Sequence, residues 1–240
     1  MKKTTVAALA SALAFGALAA TPAMAGDAQG KFQVKVLGTA VLADGKIVGV
    51  EKGANLLGTV ANAPQTKAND NYVPTVAVEY FALPNVSIET ICCLTQHTVS
   101  GTNGTIGTVN VKGADLVDHV LILPATVTLK YHVNAGPIKP YVGVGPSVFF
   151  FIDEKPSAAA AAASPTGLAI TNVKLRNSFG FALQAGVDVP INDKGLGVTL
   201  DAKKYFMDTK AHFYQAGGEV LVTKHSLDPW VLSAGLSYRF

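Results

Sequence analysis

The chain has 240 residues, of which 49% are hydrophobic and only 15% are charged, and its mean hydropathy is +0.33. This composition is too apolar for an ordinary soluble domain and too poor in charge for a disordered chain. The net charge of +3 is small, which argues against nucleic acid as a partner because nucleic-acid binding requires a clustered basic surface.

The first 25 residues have the features of a bacterial export signal. Lys2 and Lys3 form a basic start, residues 6–20 form an apolar stretch, and an A-x-A cleavage motif follows. We therefore expect these 25 residues to be a cleaved signal peptide. No internal repeat or linker divides the remainder, so residues 26–240 are predicted to form one domain.

The remainder of the chain alternates between apolar and polar residues and rarely follows a helical period. It contains no run of the roughly 18 apolar residues that a membrane-spanning helix needs. Period-2 alternation, which is typical of strands, recurs in segments about as long as a tilted membrane strand. There are eight such segments: residues 31–43, 72–83, 85–96, 118–133, 138–152, 173–189, 196–207 and 228–240.

The connections between these segments alternate in length. Three short turns are predicted, at residues 83–85, 134–137 and 190–195. Four long polar loops are predicted, at residues 44–71, 97–117, 153–172 and 208–227. Short turns at one end and long loops at the other are typical of small outer-membrane barrels. The sequence therefore predicts an all-β fold, an eight-stranded antiparallel transmembrane β-barrel with its short turns in the periplasm.

The two faces of each predicted strand differ in side-chain size. In the last strand, Leu232 and Leu236 belong to a large apolar face, whereas Ser233, Ser237 and Arg239 belong to a small or polar face. A soluble barrel would place the large face inside, where eight strands leave little room. Lipid outside the barrel accommodates that face without a volume limit. The pattern therefore favours an outer-membrane barrel over a soluble lipocalin-like barrel.

Aromatic residues lie at both ends of the outward face, where membrane barrels place their interfacial girdles. The predicted periplasmic girdle contains Phe32, Tyr80, Tyr131, Tyr238 and Phe240. The predicted outer girdle contains Phe150, Phe206 and Trp230. The two girdles indicate that outer-membrane lipid surrounds the barrel.

Charged residues concentrate at inward positions in the periplasmic half of the barrel. They are Lys35, Glu79, Glu89, Lys130, His132, Asp188, Asp201, Lys203 and Arg239. Buried charges persist only when they are paired and hydrogen-bonded, so we expect an ion-pair network that plugs the lower lumen. The same network also fits a purely stabilising role inside a narrow barrel.

Inward positions in the outer half of the barrel are mostly apolar. The candidate lining of a hydrophobic ligand site is Leu37, Ile91, Ile122, Pro124, Phe149, Phe151 and Tyr205. Such a cluster fits a pocket for a small hydrophobic molecule, and equally a collapsed core without a vacancy. Pro124 and Pro146 each lack a backbone N–H. They are therefore predicted to loosen the wall and to give a ligand a sideways exit into the bilayer.

Other chemistries find little support in the sequence. Cys92 and Cys93 are adjacent on a strand and therefore point to opposite faces, which predicts two free thiols. The five histidines lack metal-ligand spacing. No nucleophile motif such as GxSxG supports catalysis. We predict that the protein is not an enzyme and has no catalytic residues, no metal site and no cofactor.

Several motifs resemble those of the outer membrane protein W family. They are PATVTLKYH at 124–132, PYVGVG at 140–145, QAGVD at 184–188 and DPWVLSAGLSYRF at 228–240. The resemblance implies an eight-stranded outer-membrane barrel with a hydrophobic channel, associated with uptake of small apolar molecules, alkanes in one branch. The ending on Phe240 resembles the signal that the barrel-assembly machinery reads. Lys35 departs from the family, whose first strand usually carries an arginine.

Two functions of different classes remain open on the sequence. The first is an outer-membrane channel for passive uptake of small hydrophobic molecules, with the charged plug in its periplasmic half and a lateral exit into the bilayer. The second is a non-transporting structural barrel whose extracellular loops bind envelope, host or phage partners. The ligand depends on the pocket and the loops, where this chain diverges most from the family pattern.

Overall fold

The computed structural model describes residues 29–54, 65–106, 109–158 and 170–240. The predicted signal peptide, residues 1–25, lies outside the described residues. No helix in the described part of the chain is long and apolar enough to cross a membrane. The described residues form fifteen strands: β1 (Phe32–Leu42), β2 (Lys46–Lys52), β3 (Gln65–Ala68), β4 (Asn71–Leu83), β5 (Val86–Cys92), β6 (Thr95–Asn103), β7 (Thr105–Ile106), β8 (Val109–Asn110), β9 (Asp115–His132), β10 (Lys139–Pro156), β11 (Asn172–Leu175), β12 (Ser178–Pro190), β13 (Leu196–Gln215), β14 (Gly218–Ser226) and β15 (Trp230–Arg239).

Eight of these strands form a closed antiparallel ring. Its order is β1, β4, β5, β9, β10, β12, β13 and β15, and β15 pairs back to β1. Phe240 extends this closing seam: its amide donates to the Phe32 carbonyl over 2.8 Å, and the Phe32 amide donates back over 2.9 Å. The predicted eight-stranded antiparallel barrel is confirmed. Recognition of Phe240 by the assembly machinery stays a prediction.

The barrel wall separates large apolar side chains outside from small and polar side chains inside. On β12, Phe179 and Leu183 are 77% and 47% exposed, whereas Gln184 and Asp188 are 4% and 6% exposed. An exposed apolar surface of this kind faces hydrocarbon when a barrel spans a membrane. The orientation predicted from the alternation of residues is therefore confirmed.

Aromatic side chains lie at both ends of the outward face. At the end of the barrel with the short turns, which is predicted to face the periplasm and is called the periplasmic end below, the ring centroids of Phe32 and Tyr80 are 5.1 Å apart. At the outer end Trp230 is exposed, and the Lys204 ammonium lies 5.4 Å from the centroid of its ring. The same ammonium donates to the Asp228 carbonyl over 2.5 Å. These contacts hold this outward-facing cation at the interface, away from the hydrocarbon.

The three predicted short turns join β4 to β5, β9 to β10 and β12 to β13. In the last of them Gly195 has a φ of +84°. A Cβ at this position would lie 2.0 Å from the Arg239 carbonyl oxygen. The turn therefore requires glycine, which adopts a positive φ without a steric penalty and adds no side chain.

The prediction of four long polar loops is wrong in part, because several of these segments form strands. β13 continues to Gln215 and pairs with β14, and β14 pairs with β2. β6 pairs with β3 and with the outer part of β9. These strands extend the wall beyond the eight-stranded ring. Their residues need not alternate in polarity, because outside the hydrocarbon both faces of a strand can meet water.

Two predicted strands are also divided. The predicted strand at 85–96 consists of β5 and β6, with Cys93 and Leu94 between them. The predicted strand at 173–189 consists of β11, which pairs with the outer part of β13, and β12, which belongs to the ring. The first division lies next to Ile91, one of the candidate lining residues.

A positive charge on the outward face tests the orientation of the wall. Leu183 lies near the middle of β12 and is exposed. We expect Leu183→Arg to lower the free energy of unfolding in lipid vesicles by about 2–4 kcal/mol, because the guanidinium would enter hydrocarbon. Ile191→Arg is the control, since Ile191 is also exposed but lies in a periplasmic turn, where a loss of at most about 1 kcal/mol is expected. Equal losses in reversible urea unfolding would contradict the orientation.

Candidate functional site

The centre of the lower lumen is a cluster of two carboxylates and two ammonium groups. Lys35 Nζ lies 2.6 Å from Glu79 Oε2 and 2.9 Å from Glu89 Oε2. Lys130 Nζ lies 2.9 Å from the same two oxygens. All four side chains are buried. Each of these carboxylate oxygens is shared by two cations, so the buried charges are paired.

The network continues across the lumen to β13. Lys203 Nζ lies 3.1 Å from Glu89 Oε1 and 2.6 Å from Asp201 Oδ1. Gln184 bridges the same two carboxylates, because its Nε2 donates to Glu89 Oε1 over 2.9 Å and to Asp201 Oδ2 over 2.6 Å. The Thr128 hydroxyl donates to Gln184 Oε1 over 2.7 Å. Side chains from β5, β9, β12 and β13 thus meet inside the barrel.

His132 and Asp188 extend the cluster towards the periplasm. His132 Nε2 lies 2.9 Å from Glu79 Oε1, and its Nδ1 lies 3.9 Å from Asp188 Oδ2. Asp188 Oδ1 lies 3.7 Å from Lys35 Nζ and accepts a hydrogen bond from the Thr199 hydroxyl over 2.5 Å. Each of these contacts joins side chains from different strands of the ring.

Arg239 lies at the periplasmic mouth of the barrel. Its guanidinium lies 3.5 Å from the centroid of the Phe81 ring, and its Nε donates to the Gly30 carbonyl over 2.6 Å. It borders a small cavity of about 30 Å³ together with His132 and Asp188. The structure joins the other eight charged residues proposed for the lower lumen by direct contacts: Lys35, Glu79, Glu89, Lys130, His132, Asp188, Asp201 and Lys203.

Tyr141 and Gln184 are among the members of the network that sequence reasoning missed. Tyr141 is buried, and its hydroxyl donates to Asp201 Oδ2 over 2.7 Å. Lys130 Nζ lies 3.7 Å from the centroid of the Tyr141 ring, a cation–π contact that adds to the pairing of the ammonium group. Both residues occupy inward positions of their strands. The alternation that located the charged residues therefore also marks these two.

Beyond the network, towards the outer end, the lumen contains an apolar cavity of about 50 Å³. The proposed lining residues that border it are Ile91, Ile122, Pro124, Phe149 and Tyr205. Phe151 is buried in the same hydrophobic cluster as Phe149, and Leu37 is buried one inward position above Lys35. These last two are outside the lining of the cavity. Cys93, Val41 and Val231 complete much of its wall.

The turn between β1 and β2 forms a roof over this cavity. Asp44 and Gly45 in this turn border the cavity. The Ala68 amide donates to the Asp44 carbonyl over 3.0 Å, and the Thr66 hydroxyl donates to the Gly45 carbonyl over 2.6 Å. Strand β3, which contains both donors, thus fixes the roof in place.

Two histidines lie beside the roof. His97 Nδ1 donates to the Asn69 carbonyl over 2.7 Å, and its Nε2 accepts from the Thr95 hydroxyl over 3.0 Å. Burial lowers the pKa of His97 below its ordinary value, although the Asn69 carbonyl opposes this shift. Burial also lowers the pKa of His225 to about 4, against the contact with the Gly45 backbone, which raises it. Both shifts favour the uncharged form of the ring.

A break in the hydrogen-bond ladder lies in the wall between β9 and its neighbours β5 and β6. The ladder ends at the pair Ile91–Thr126 and resumes at the pair Thr95–Ile122. The register is the same on both sides of the break, so residues 92–94 face residues 123–125 of β9 within it. We call this break the window, and its residues are 92–94 and 123–125.

The window adjoins the cavity. Cys93 and Pro124 face each other across it, since they continue the register of the flanking pairs, and both border the cavity. Pro124 has no N–H to donate to a ladder. Pro146 lies in a shorter interruption, where the β9–β10 pairs stop at Val144 and resume at Ser147. Both prolines that are predicted to loosen the wall thus lie at interruptions of a ladder.

The two cysteines are free thiols, as predicted. Cys92 is exposed on the outward face and Cys93 is buried in the lumen. Among the residues that the structure describes, no three His, Cys, Asp or Glu side chains are grouped to hold a metal ion.

Removal of one charge tests the energetic role of the network. Glu89 contacts three lysine ammonium groups. Glu89→Gln leaves these cations short of negative charge, so we expect the free energy of unfolding to fall by about 3–5 kcal/mol. The matched control is Glu51→Gln, which breaks the Glu51–Lys210 pair of 2.7 Å at an exposed site and is expected to cost at most about 1 kcal/mol. If urea unfolding in vesicles gives the same loss for both variants, the network is not a stabilising unit.

Comparison with known proteins gives sequence relatives. The chain is 31% identical to the uncharacterized outer-membrane protein y4mB of Sinorhizobium fredii, over 91% of this chain and 85% of that protein. It is 27% identical to outer membrane protein W of Vibrio cholerae, over 72% of this chain and 75% of that protein. Both relatives are outer-membrane proteins by name.

The structural comparison agrees with these relatives. The fold is similar to the crystal structure of the outer membrane protein OprG from Pseudomonas aeruginosa, with a TM-score of 0.70 and 21% identity over 90% of this chain and 99% of that chain. The family model of the OmpW family matches residues 28–240. The chain therefore belongs to the OmpW family and is an outer-membrane β-barrel protein.

Proposed function

We propose that this protein is an outer-membrane channel through which small hydrophobic molecules pass passively from outside the cell into the bilayer. The observation that carries the proposal is the position of the apolar cavity. It lies between the ion-pair network and the roof, and it adjoins the window. An apolar molecule in this cavity has the ion-pair network on its periplasmic side, and only the window separates it from the surrounding lipid.

The cavity suits thin apolar ligands. Ile91, Ile122 and Phe149 line it, and contact with them removes apolar surface from water at roughly 25 cal/mol per Å². Its volume of about 50 Å³ is far below the roughly 300–1,000 Å³ of pockets for drug-sized ligands. A narrow chain segment therefore fits, and a wider ligand enters only when the roof at Asp44 and Gly45 moves.

The ion-pair network acts in this proposal as a plug against passage into the periplasm. A hydrophobic molecule that moved further down would separate Lys35 and Lys130 from Glu79 and Glu89. Loss of one partner of a buried ion pair costs about 3–5 kcal/mol. Apolar atoms offer the separated charges no hydrogen bonds in return, so the straight path is closed to such a molecule.

A sideways exit through the window avoids that cost. The strands carry fewer ladder hydrogen bonds at the window than along the paired wall, and each hydrogen bond that need not be broken saves about 0.5–1.5 kcal/mol. Leu94 and Leu123 are half-buried residues of the window and give the exit an apolar rim. Beyond them lies hydrocarbon, where an apolar molecule is at least as favourable as in the cavity.

A disulfide bond across the window tests the exit. Pro124→Cys places a second lumenal thiol opposite the native Cys93, at the separation of a cross-strand pair, and Cys92→Ser removes the other thiol. Cells that express this variant are oxidised or reduced, and the initial uptake of labelled octane is measured. We expect oxidation to lower uptake to the level of cells without the protein, because the bridge holds the window closed, and reduction to restore it.

The control variant carries Pro124→Ala with Cys92→Ser, which cannot form the bridge, and its uptake should not respond to oxidation. Unchanged uptake through a verified disulfide would contradict the lateral exit. Uptake by cells with the unmodified protein that is no faster than uptake by cells without it would contradict the channel itself and favour the barrel that binds envelope, host or phage partners.

A further inference from the structure

A belt of buried hydroxyl groups separates the ion-pair network from the apolar cavity. On β4, Thr75 lies two inward positions beyond Glu79, and on β13, Tyr205 lies one inward position beyond Lys203. The belt therefore begins where the charged residues end. Its members are Thr39, Thr75, Thr126, Ser147, Tyr205 and Ser233.

Thr75 differs from the other members of the belt in its hydrogen bonding. The Thr39 and Ser233 hydroxyls lie 2.8 Å apart, and those of Thr126 and Ser147 lie 2.7 Å apart. Thr75 Oγ1 is buried and has no oxygen or nitrogen hydrogen-bond partner among the described residues; its neighbour is the Cys93 thiol. Buried polar groups in native proteins nearly always have a partner, so this hydroxyl has capacity for a group that the chain itself does not supply.

Tyr205 also has unused capacity. Its hydroxyl accepts from Thr126 over 3.3 Å, which leaves its own proton free to be donated. Tyr205 borders the cavity, as does Cys93, and Cys93 lies beside both Thr75 and Tyr205. The thiol is only a weak hydrogen-bonding group. The inner end of the cavity thus has an available O–H donor at Tyr205, and the Thr75 hydroxyl lies behind Cys93, outside the lining of the cavity.

We propose that the cavity prefers a chain with one uncharged hydroxyl end, such as a medium-length primary alcohol, over the alkane of the same length. The alcohol oxygen accepts from Tyr205, and its proton is donated to Thr75 once the Cys93 side chain has turned away from that hydroxyl, while the tail contacts Phe149 and Ile122. An alkane leaves the Tyr205 proton and the Thr75 hydroxyl without an oxygen partner. A site whose buried polar groups are left unpaired discriminates more strongly between ligands than a purely apolar pocket does. A charged end group is disfavoured, because no unpaired counter-charge is offered at the belt. This inference rests on the proposed channel function and names its ligand class.

Competitive uptake tests the preference. Cells that express the full chain receive equal amounts of labelled 1-octanol and octane, and uptake by cells without the protein is subtracted. We expect the initial rate for octanol to exceed that for octane about two- to tenfold, as net gains of neutral hydrogen bonds predict. Thr75→Val and Tyr205→Phe keep the side-chain shape and remove one partner each, so each should move the ratio towards one while octane uptake is retained.

The matched control is Thr90→Val, which removes a hydroxyl from an outward position of β5 and should leave the ratio unchanged. A ratio of one with the unmodified protein overturns the inference, and so does a ratio that survives both Thr75→Val and Tyr205→Phe. In either case octane uptake above background leaves the channel function standing. Absence of protein-dependent uptake of both compounds overturns the proposed function as well.

Discussion

The carboxylates of Glu79 and Glu89 hold three lysine ammonium groups inside the barrel, at distances of 2.6–3.1 Å. A single buried charge without a partner costs several kcal/mol. These side chains cannot turn outward either, because the other face of the wall is apolar and faces lipid. The ion pairs therefore fix how five strands of the ring, β1, β4, β5, β9 and β13, are joined across the lumen.

The character of the lumen changes stepwise from the periplasm outward. Paired charges are followed by the hydroxyl belt and then by the apolar cavity beneath its roof. The window lies at the level of the cavity, since Cys93 and Pro124 belong to both. This order gives the proposed channel its direction: a ligand that enters from outside loses contact with water, reaches polar groups that it cannot displace, and has lipid at its side.

The alternation of residues was sufficient to predict the ring, because the two faces of its strands meet different surroundings and the strand period is two. The same rule placed eight directly connected charged residues in one lumen without any knowledge of the fold. It failed where both faces meet water. The hairpin of β13 and β14 was predicted as a loop, although Gly217-Gly218 between two β-rich segments is a hairpin signal and Gly218 has a φ of +117°.

The candidate site was predictable only in part. Pro124 indicated a weak point in the wall, but the extent of the window depends on Cys93 and Leu94, which lie between two strands for reasons that no local pattern shows. The distinction between Phe149, which lines the cavity, and Phe151, which packs beside it, depends on the shape of the lumen. The pairing of the belt hydroxyls likewise depends on three-dimensional contacts between strands that are distant in sequence.

Single-channel ion conductance in planar lipid bilayers tests the central claim most directly, namely that salt-linked side chains close the lower lumen. The unmodified barrel is expected to show no steady conductance. A barrel with Lys35→Ala, Glu79→Ala, Glu89→Ala and Lys130→Ala together is expected to conduct, because the two cations and two anions at the centre of the network are then removed as a balanced group. Steady conductance through the folded unmodified protein would contradict the account, and so would a folded quadruple variant that conducts no better than the unmodified barrel.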